Sequence, residues 1–276
     1  MNRKLARSLL VIAILTTLLA LLPVPAAADG IILPEPPPDV PIVDVPYLTI
    51  KYHRVTVTIE DQVATTRVDQ VFVNEARFEV EGTYVFPIPE EAAIGDFAMW
   101  VDGERLEGQV LQRDEARRIY EDIVRRRKDP ALLEYVGRNA FQASVYPIPP
   151  GGERRIELEY SQVLQVDNGL VEYVYPLNTE KFSARPLEEV VVNVAVRSVE
   201  PIKAIYSPSH DVDVVRRGDY NADVGYEEYD VLPDRDFVLY WMEGARRLGW
   251  NFALQHAARL EAPRDPGARA HRGPLG

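Results

Sequence analysis

From Tyr47 onward, apolar and polar residues alternate with a period of two in short runs separated by turn residues, the pattern of strands with one face toward a core. Leu48, Ile50 and Tyr52 share one parity and Val55, Val57 and Ile59 take the other, which predicts a bulge or bend near His53 and Arg54. Further strands are predicted over 64–73, 83–86, 97–101 and 104–111. The last two are joined by Asp102-Gly103, a pair that favours a hairpin because the turn needs positive φ. One amphipathic helix is predicted from Asp114, whose carboxylate can cap it, with Ala116, Ile119, Tyr120 and Ile123 on one stripe. Asp129-Pro130 restarts a short helical turn that Gly137 ends. Alternation resumes over 141–146, through Ile156, Leu158 and Tyr160, and over 170–175, 190–199, 202–206, 212–215 and 237–241, with Asp167-Asn168-Gly169 as another turn. The sum is a mainly β fold, an antiparallel β-sandwich with a small helical insertion.

Both ends break this pattern. Arg3, Lys4 and Arg7 precede an uncharged stretch from Ser8 to Leu22 that closes on Ala26-Ala27-Ala28, the layout of a secretory leader cut between Ala28 and Asp29. The stretch is shorter than the about 20 apolar residues of a spanning helix and runs into Pro23 and Pro25, so no transmembrane segment is expected after cleavage. Residues 29–46 hold Pro34, Pro36, Pro37, Pro38, Pro41 and Pro46 and read as an extended proline-rich spacer. Residues 242–276 form an irregular tail, in which six arginines after Gly244 face only Glu261 and Asp265. That change of character is what a truncated or frame-shifted gene would produce, with a disordered tail as the alternative.

Composition narrows the function. The absence of cysteine excludes disulfides, thiolate metal sites and a cysteine nucleophile. Export without disulfides points to a bacterial source, and 276 residues less the leader suffice to bury a core unaided. The net charge of −12 becomes −15 once the three leader cations are removed, which disfavours nucleic acid and anionic membranes and leaves cationic partners or divalent metals open.

Several motifs stand in register within the strand region. Tyr84-Val85-Phe86-Pro87-Ile88-Pro89 is followed by Ala92-Ala93, Val101-Asp102-Gly103, Gly108, Ala116 with Ile119-Tyr120, and Asp129-Pro130-Ala131-Leu132-Leu133-Glu134. Asn139 with Phe141 and Pro147-Ile148-Pro149 then precede Ile156, Leu158 and Tyr160. In order and spacing this set resembles the vault protein inter-alpha-trypsin (VIT) domain family over 47–165, with 166–241 as its β-rich continuation or connecting region. The motif residues read as structural: Pro87, Pro89, Pro147 and Pro149 fix φ, Gly103 permits a turn, Pro130 starts a helix, and the tyrosines with Phe141 fill a core. The resemblance implies a scaffold or interaction module with no catalytic, cofactor-binding or metal residues to carry over. It also implies a following von Willebrand factor A domain, whose Asp-x-Ser-x-Ser metal motif does not occur in these residues.

Other constellations carry weaker expectations. Ser207-Pro208-Ser209-His210-Asp211 sets serine, histidine and aspartate side by side, where neighbours in sequence are not expected to form a catalytic relay, so a proline-bounded turn is the reading. His53, His256 and His271 are the other histidines. Glu79, Glu81, Glu90, Glu91, Glu134, Glu157 and Glu159 offer carboxylate pairs for a hydrolase, but at positions expected to face water. Arg125 to Lys128 suits a helix C-terminus better than an anionic ligand, and Arg217-Gly218-Asp219 suits a turn. Asp211 with Asp213, or Asp219 with Asp223, matches no calcium loop. The expectation is therefore an exported, non-catalytic protein-interaction module, periplasmic, cell-surface or secreted. A hydrolase using paired carboxylates and a pure spacer for a missing A domain are the alternatives.

Overall fold

The computed structural model describes residues 30–35, 48–89, 92–101, 103–107, 140–178, 183 and 185–244. Strands are numbered along the chain and fall into three sheets. The large sheet runs, edge to edge, β13 (Asp213–Arg216), β14 (Asn221–Val231), β11 (Leu187–Arg197), β2 (Thr49–Glu60), β3 (Val63–Val73), β8 (Glu153–Val163), β5 (Ala93–Val101) and β6 (Glu104–Glu107). A three-stranded sheet has the order β1 (Ile31–Glu35), β4 (Val80–Pro87), β7 (Ala140–Ile148). A four-stranded sheet has β12 (Ile202–Tyr206), β15 (Phe237–Glu243), β10 (Leu170–Tyr175) and β9 (Val166–Asp167).

Alternation explains the layering. β2 buries His53, Val55, Val57 and Ile59, β11 buries Val190, Val192, Val194 and Val196, and β8 buries Ile156, Leu158 and Tyr160, all toward one face of the large sheet. The two small sheets cover that face. Phe86 of β4 meets Tyr160 at 5.7 Å between ring centroids and Tyr175 of β10 at 6.3 Å, and Phe97 meets Phe141 at 4.9 Å. Trp241, Tyr84, Tyr173 and Phe237 complete one continuous core. The fold is thus a β-sandwich.

Several sequence expectations change in detail. The sheets are not wholly antiparallel: β2 and β11 run parallel from Tyr52 opposite Glu189 to Glu60 opposite Arg197. The long stretch of chain between them, which holds β4, β7, β9 and β10 of the covering sheets, supplies the crossover that parallel neighbours require. The bulge in β2 falls at Lys51, where the register with β3 slips between Ile50 and Tyr52, slightly ahead of the position that the parity change marked. Ile31–Glu35, read as spacer, is a strand paired with β4, and its Pro34 is tolerated because β1 is an edge. Asn221–Val231 was not expected as a strand at all; it pairs with β11 along most of its length.

The β5–β6 hairpin forms as expected, with Val101 opposite Glu104 and Gly103 at φ 85°. Asn168 and Gly169 take φ 50° and 84°, the two positive angles of a tight hairpin turn between β9 and β10. The helical insertion over 114–137, and with it Tyr120, Asp129, Pro130 and Asn139, lies outside the described residues, as do 108–111, Asp102, Ala28 and Asp29.

Candidate functional site

Polar side chains inside the sandwich form two staples. Gln70 of β3 stands at the centre of the first: its Nε2 donates to the Gly30 carbonyl at 3.2 Å and reaches His53 Nδ1 at 2.8 Å, while its Oε1 accepts from the Tyr84 hydroxyl at 2.8 Å. Because an amide nitrogen only donates, His53 Nδ1 accepts, and the imidazole hydrogen sits on Nε2, which donates to the Tyr175 oxygen at 2.8 Å. The chain ties β2 and β3 of the large sheet to both covering sheets, and every side chain in it is fully buried. The second staple joins Thr66 to Tyr173 at 2.8 Å, and burial pushes the Tyr173 hydroxyl well above its ordinary value. The sequence reading missed both, although Gln70 and Thr66 share the inward parity of Val68 and Phe72.

The opposite, outer face of the large sheet carries a ladder of ion pairs. Arg155 binds Asp69 through two bonds of 2.8 Å and Glu157 at 2.7 Å, and this pairing holds the guanidinium above its ordinary range. Arg67 pairs with Glu159 at 2.5 Å, Arg54 with Glu189 at 2.5 Å, Lys51 with Glu153 at 2.8 Å and Arg105 with Asp96. Arg155 also lies over Trp100, and Arg54 over Tyr52, at 5.1 and 4.3 Å from the ring centroids. Glu157 and Glu159 are therefore engaged as cross-strand partners, Glu79 and Glu81 are exposed, and Glu90, Glu91 and Glu134 lie outside the described residues.

The Ser207–Asp211 segment forms the expected bend, yet the neighbouring side chains do bond: Ser209 Oγ and His210 Nδ1 are 2.9 Å apart. The serine oxygen is also held by the Val238 N–H at 2.8 Å, so the pair fastens the loop to β15. Gly218 turns at φ 86° within Arg217-Gly218-Asp219, and Arg217 bonds Asp223. Among the described residues no group of three or more His, Asp or Glu is placed to hold a metal ion.

An apolar-walled concavity lies between the two covering sheets. It encloses about 570 Å³ and is lined by Pro87, Ile88 and Pro89 at the end of β4, by Gln162 and Val163 at the end of β8 with Leu164 and Gln165 after it, and by Leu170, Glu172 and Val174 of β10 with Pro176, Asp167, Asp236 and Tyr240. Glu172 accepts from the Tyr240 hydroxyl at 2.6 Å, which pushes that hydroxyl up to about 12. Of the other motif residues, Tyr84, Phe86, Phe141 and Tyr160 are buried in the core, while Pro147 and Pro149 are exposed and give their carbonyls to Arg154 and the Gly152 N–H. The sequence separates the cleft's two walls by most of a domain and gives no signal that they meet.

These features define a two-layer β domain with a cleft at the seam of its covering sheets. Residues 50–160 match the model of the family described as the Vault protein inter-alpha-trypsin domain, so the match falls on the part of the chain that holds β2 to β8. It is 28% identical over 130 residues, 46% of its length, to von Willebrand factor A domain-containing protein 5A of Rattus norvegicus, and 30% identical over 141 residues, 50% of its length, to Inter-alpha-trypsin inhibitor heavy chain H4 of Homo sapiens. The matched regions span 16% and 14% of those relatives. Among solved structures it is similar to a putative nutrient binding protein of Legionella pneumophila, with a TM-score of 0.50 at 16% identity, covering 79% of this chain and 73% of the other.

Proposed function

We propose that the chain is an exported, non-catalytic interaction module, of bacterial origin, that works through protein contacts in the envelope, at the surface or outside the cell. The observation that carries this reading is the match of 50–160 to a domain that relatives carry inside far longer chains, among them one named as a heavy chain of an inhibitor and one named for its A domain. A module reused in this way contributes binding surface more readily than chemistry. The core polar groups support it, being committed to staples between the sheets. The leader supports export, with Ala28 and Asp29 as the proposed cleavage pair.

Two measurements on the full chain, expressed with a C-terminal tag in a bacterial host, test the proposal. Intact mass of the exported protein should give a chain beginning at Asp29, and photo-cross-linking from surface positions should yield discrete adducts with other proteins. A retained leader removes the export claim. Hydrolysis of a glycoside or peptide that a single Asp or Glu substitution abolishes removes the non-catalytic one.

A further inference from the structure

Resting on the interaction-module reading, we propose that the seam cleft takes an extended segment of a partner protein that carries a lysine or arginine between apolar residues, laid as a strand along the open edge of β10. Three observations converge on this occupant.

The first is backbone. β10 runs from Leu170 to Tyr175, but β9 covers only Leu170 and Val171 on the side away from β15. From Glu172 to Tyr175 no strand among the described residues pairs with that edge. Such an edge presents N–H and C=O groups in register for an added strand. The facing wall is Pro87-Ile88-Pro89, where the prolines have no N–H to offer, so that wall bounds the trough without closing it.

The second is side-chain order. Leu170, Glu172 and Val174 share the outer face of β10, because Val171, Tyr173 and Tyr175 point into the core. A strand paired to this edge sets every second side chain beside that row. The complementary order is apolar, cation, apolar at alternate positions, with the cation beside Glu172 and apolar side chains beside Leu170 and Val174. Ile88 and Leu164 continue the apolar wall.

The third is charge. Asp167, Glu172 and Asp236 line the cleft and no Lys, Arg or His does, among the described residues. The outer face of the large sheet differs, since Arg54, Arg67 and Arg155 stand among its acids. An acidic, apolar-walled trough selects a cationic strand and repels an anionic one.

The test uses the full chain and a fluorescein-labelled peptide, Thr-Val-Thr-Lys-Thr-Val-Thr, read by anisotropy. Two controls change one property each: lysine to glutamate reverses the charge, and N-methylation of alternate amides keeps the charge but blocks strand pairing. We expect the lysine peptide to bind at least tenfold more tightly than either control and to weaken with salt. Glu172→Lys should reverse the preference between the two charged peptides, whereas Glu227→Lys, on the remote exposed part of β14, should leave it unchanged. Glu172→Gln, with thermal melting beside it, separates lost binding from lost folding. Equal binding of all three peptides, loss with Glu227→Lys, or no binding to a folded chain overturns the proposal. If the peptide fails while cross-linking still yields discrete partners, the cleft assignment is wrong and the module reading stands; if both fail, both fall.

Discussion

His210 sits where a loop meets β15, its ring 4.5 Å from that of Tyr226 and 5.6 Å from that of Phe237. Burial against these rings and then the Arg235 guanidinium hold its pKa below the ordinary 6.5, while Glu228 and Asp234 pull the other way. The sign follows from proton counting: below pH 6.5 the unfolded chain binds more protons at this site than the folded one. The contribution is complete above that pH and is lost as the pH falls through the lowered value. His210→Gln should therefore lose less of its urea midpoint than the parent between pH 7 and pH 5, pH values chosen to bracket the ordinary titration of histidine at about 6.5. Identical losses would remove His210 from the account. His53 illustrates the other fate of a histidine, a fully buried ring whose two nitrogens are spent on Gln70 and Tyr175.

Elements depend on close approach as well as on alternation. β1 reaches β4 at Gly82, opposite Pro34, where an added Cβ would lie 2.2 Å from the Leu33 carbonyl oxygen. Backbone cannot yield there as the end of a long side chain can, so Gly82→Ala should push β1 from its place and cost about 1–3 kcal/mol in chemical denaturation. Gly225→Ala in β14 is the matched control: its nearest neighbour is Asn193 Oδ1 at 3.8 Å, and the change should stay within about 0.5 kcal/mol. A reversed order of the two variants would mean that β1 is not seated as described.

Phe86 is where the whole molecule converges. It is fully buried and touches the large sheet through Tyr160 and the four-stranded sheet through Tyr175, while belonging itself to the three-stranded one. Removing the ring opens a cavity at the junction of all three sheets, and Phe86→Ala should cost about 3–5 kcal/mol. Tyr229→Ala, at a side chain 59% exposed, should cost less than about 0.5 kcal/mol by the same measurement. Comparable losses would contradict a core shared by the three sheets.

Where alternation is strong the strands were legible: β10 begins and ends where the period-two run does, because burial of Val171, Tyr173 and Tyr175 on one face fixes its register. β14 was not, since Asp223, Gly225 and the acids that follow lower its strand preference, and pairing with β11 supplies what local preference lacks. The prolines hid β1 for a similar reason, an edge position forgiving what an interior one would not. By itself the sequence determined a cysteine-free, acidic, mainly β chain with VIT motifs in order, because composition, alternation and turn chemistry are local properties. Only the tertiary structure decided the parallel β2–β11 pair, the Gln70 staple and the seam cleft. Each of these joins residues far apart in the chain, through contacts whose cost in chain entropy is met only when the whole sandwich closes.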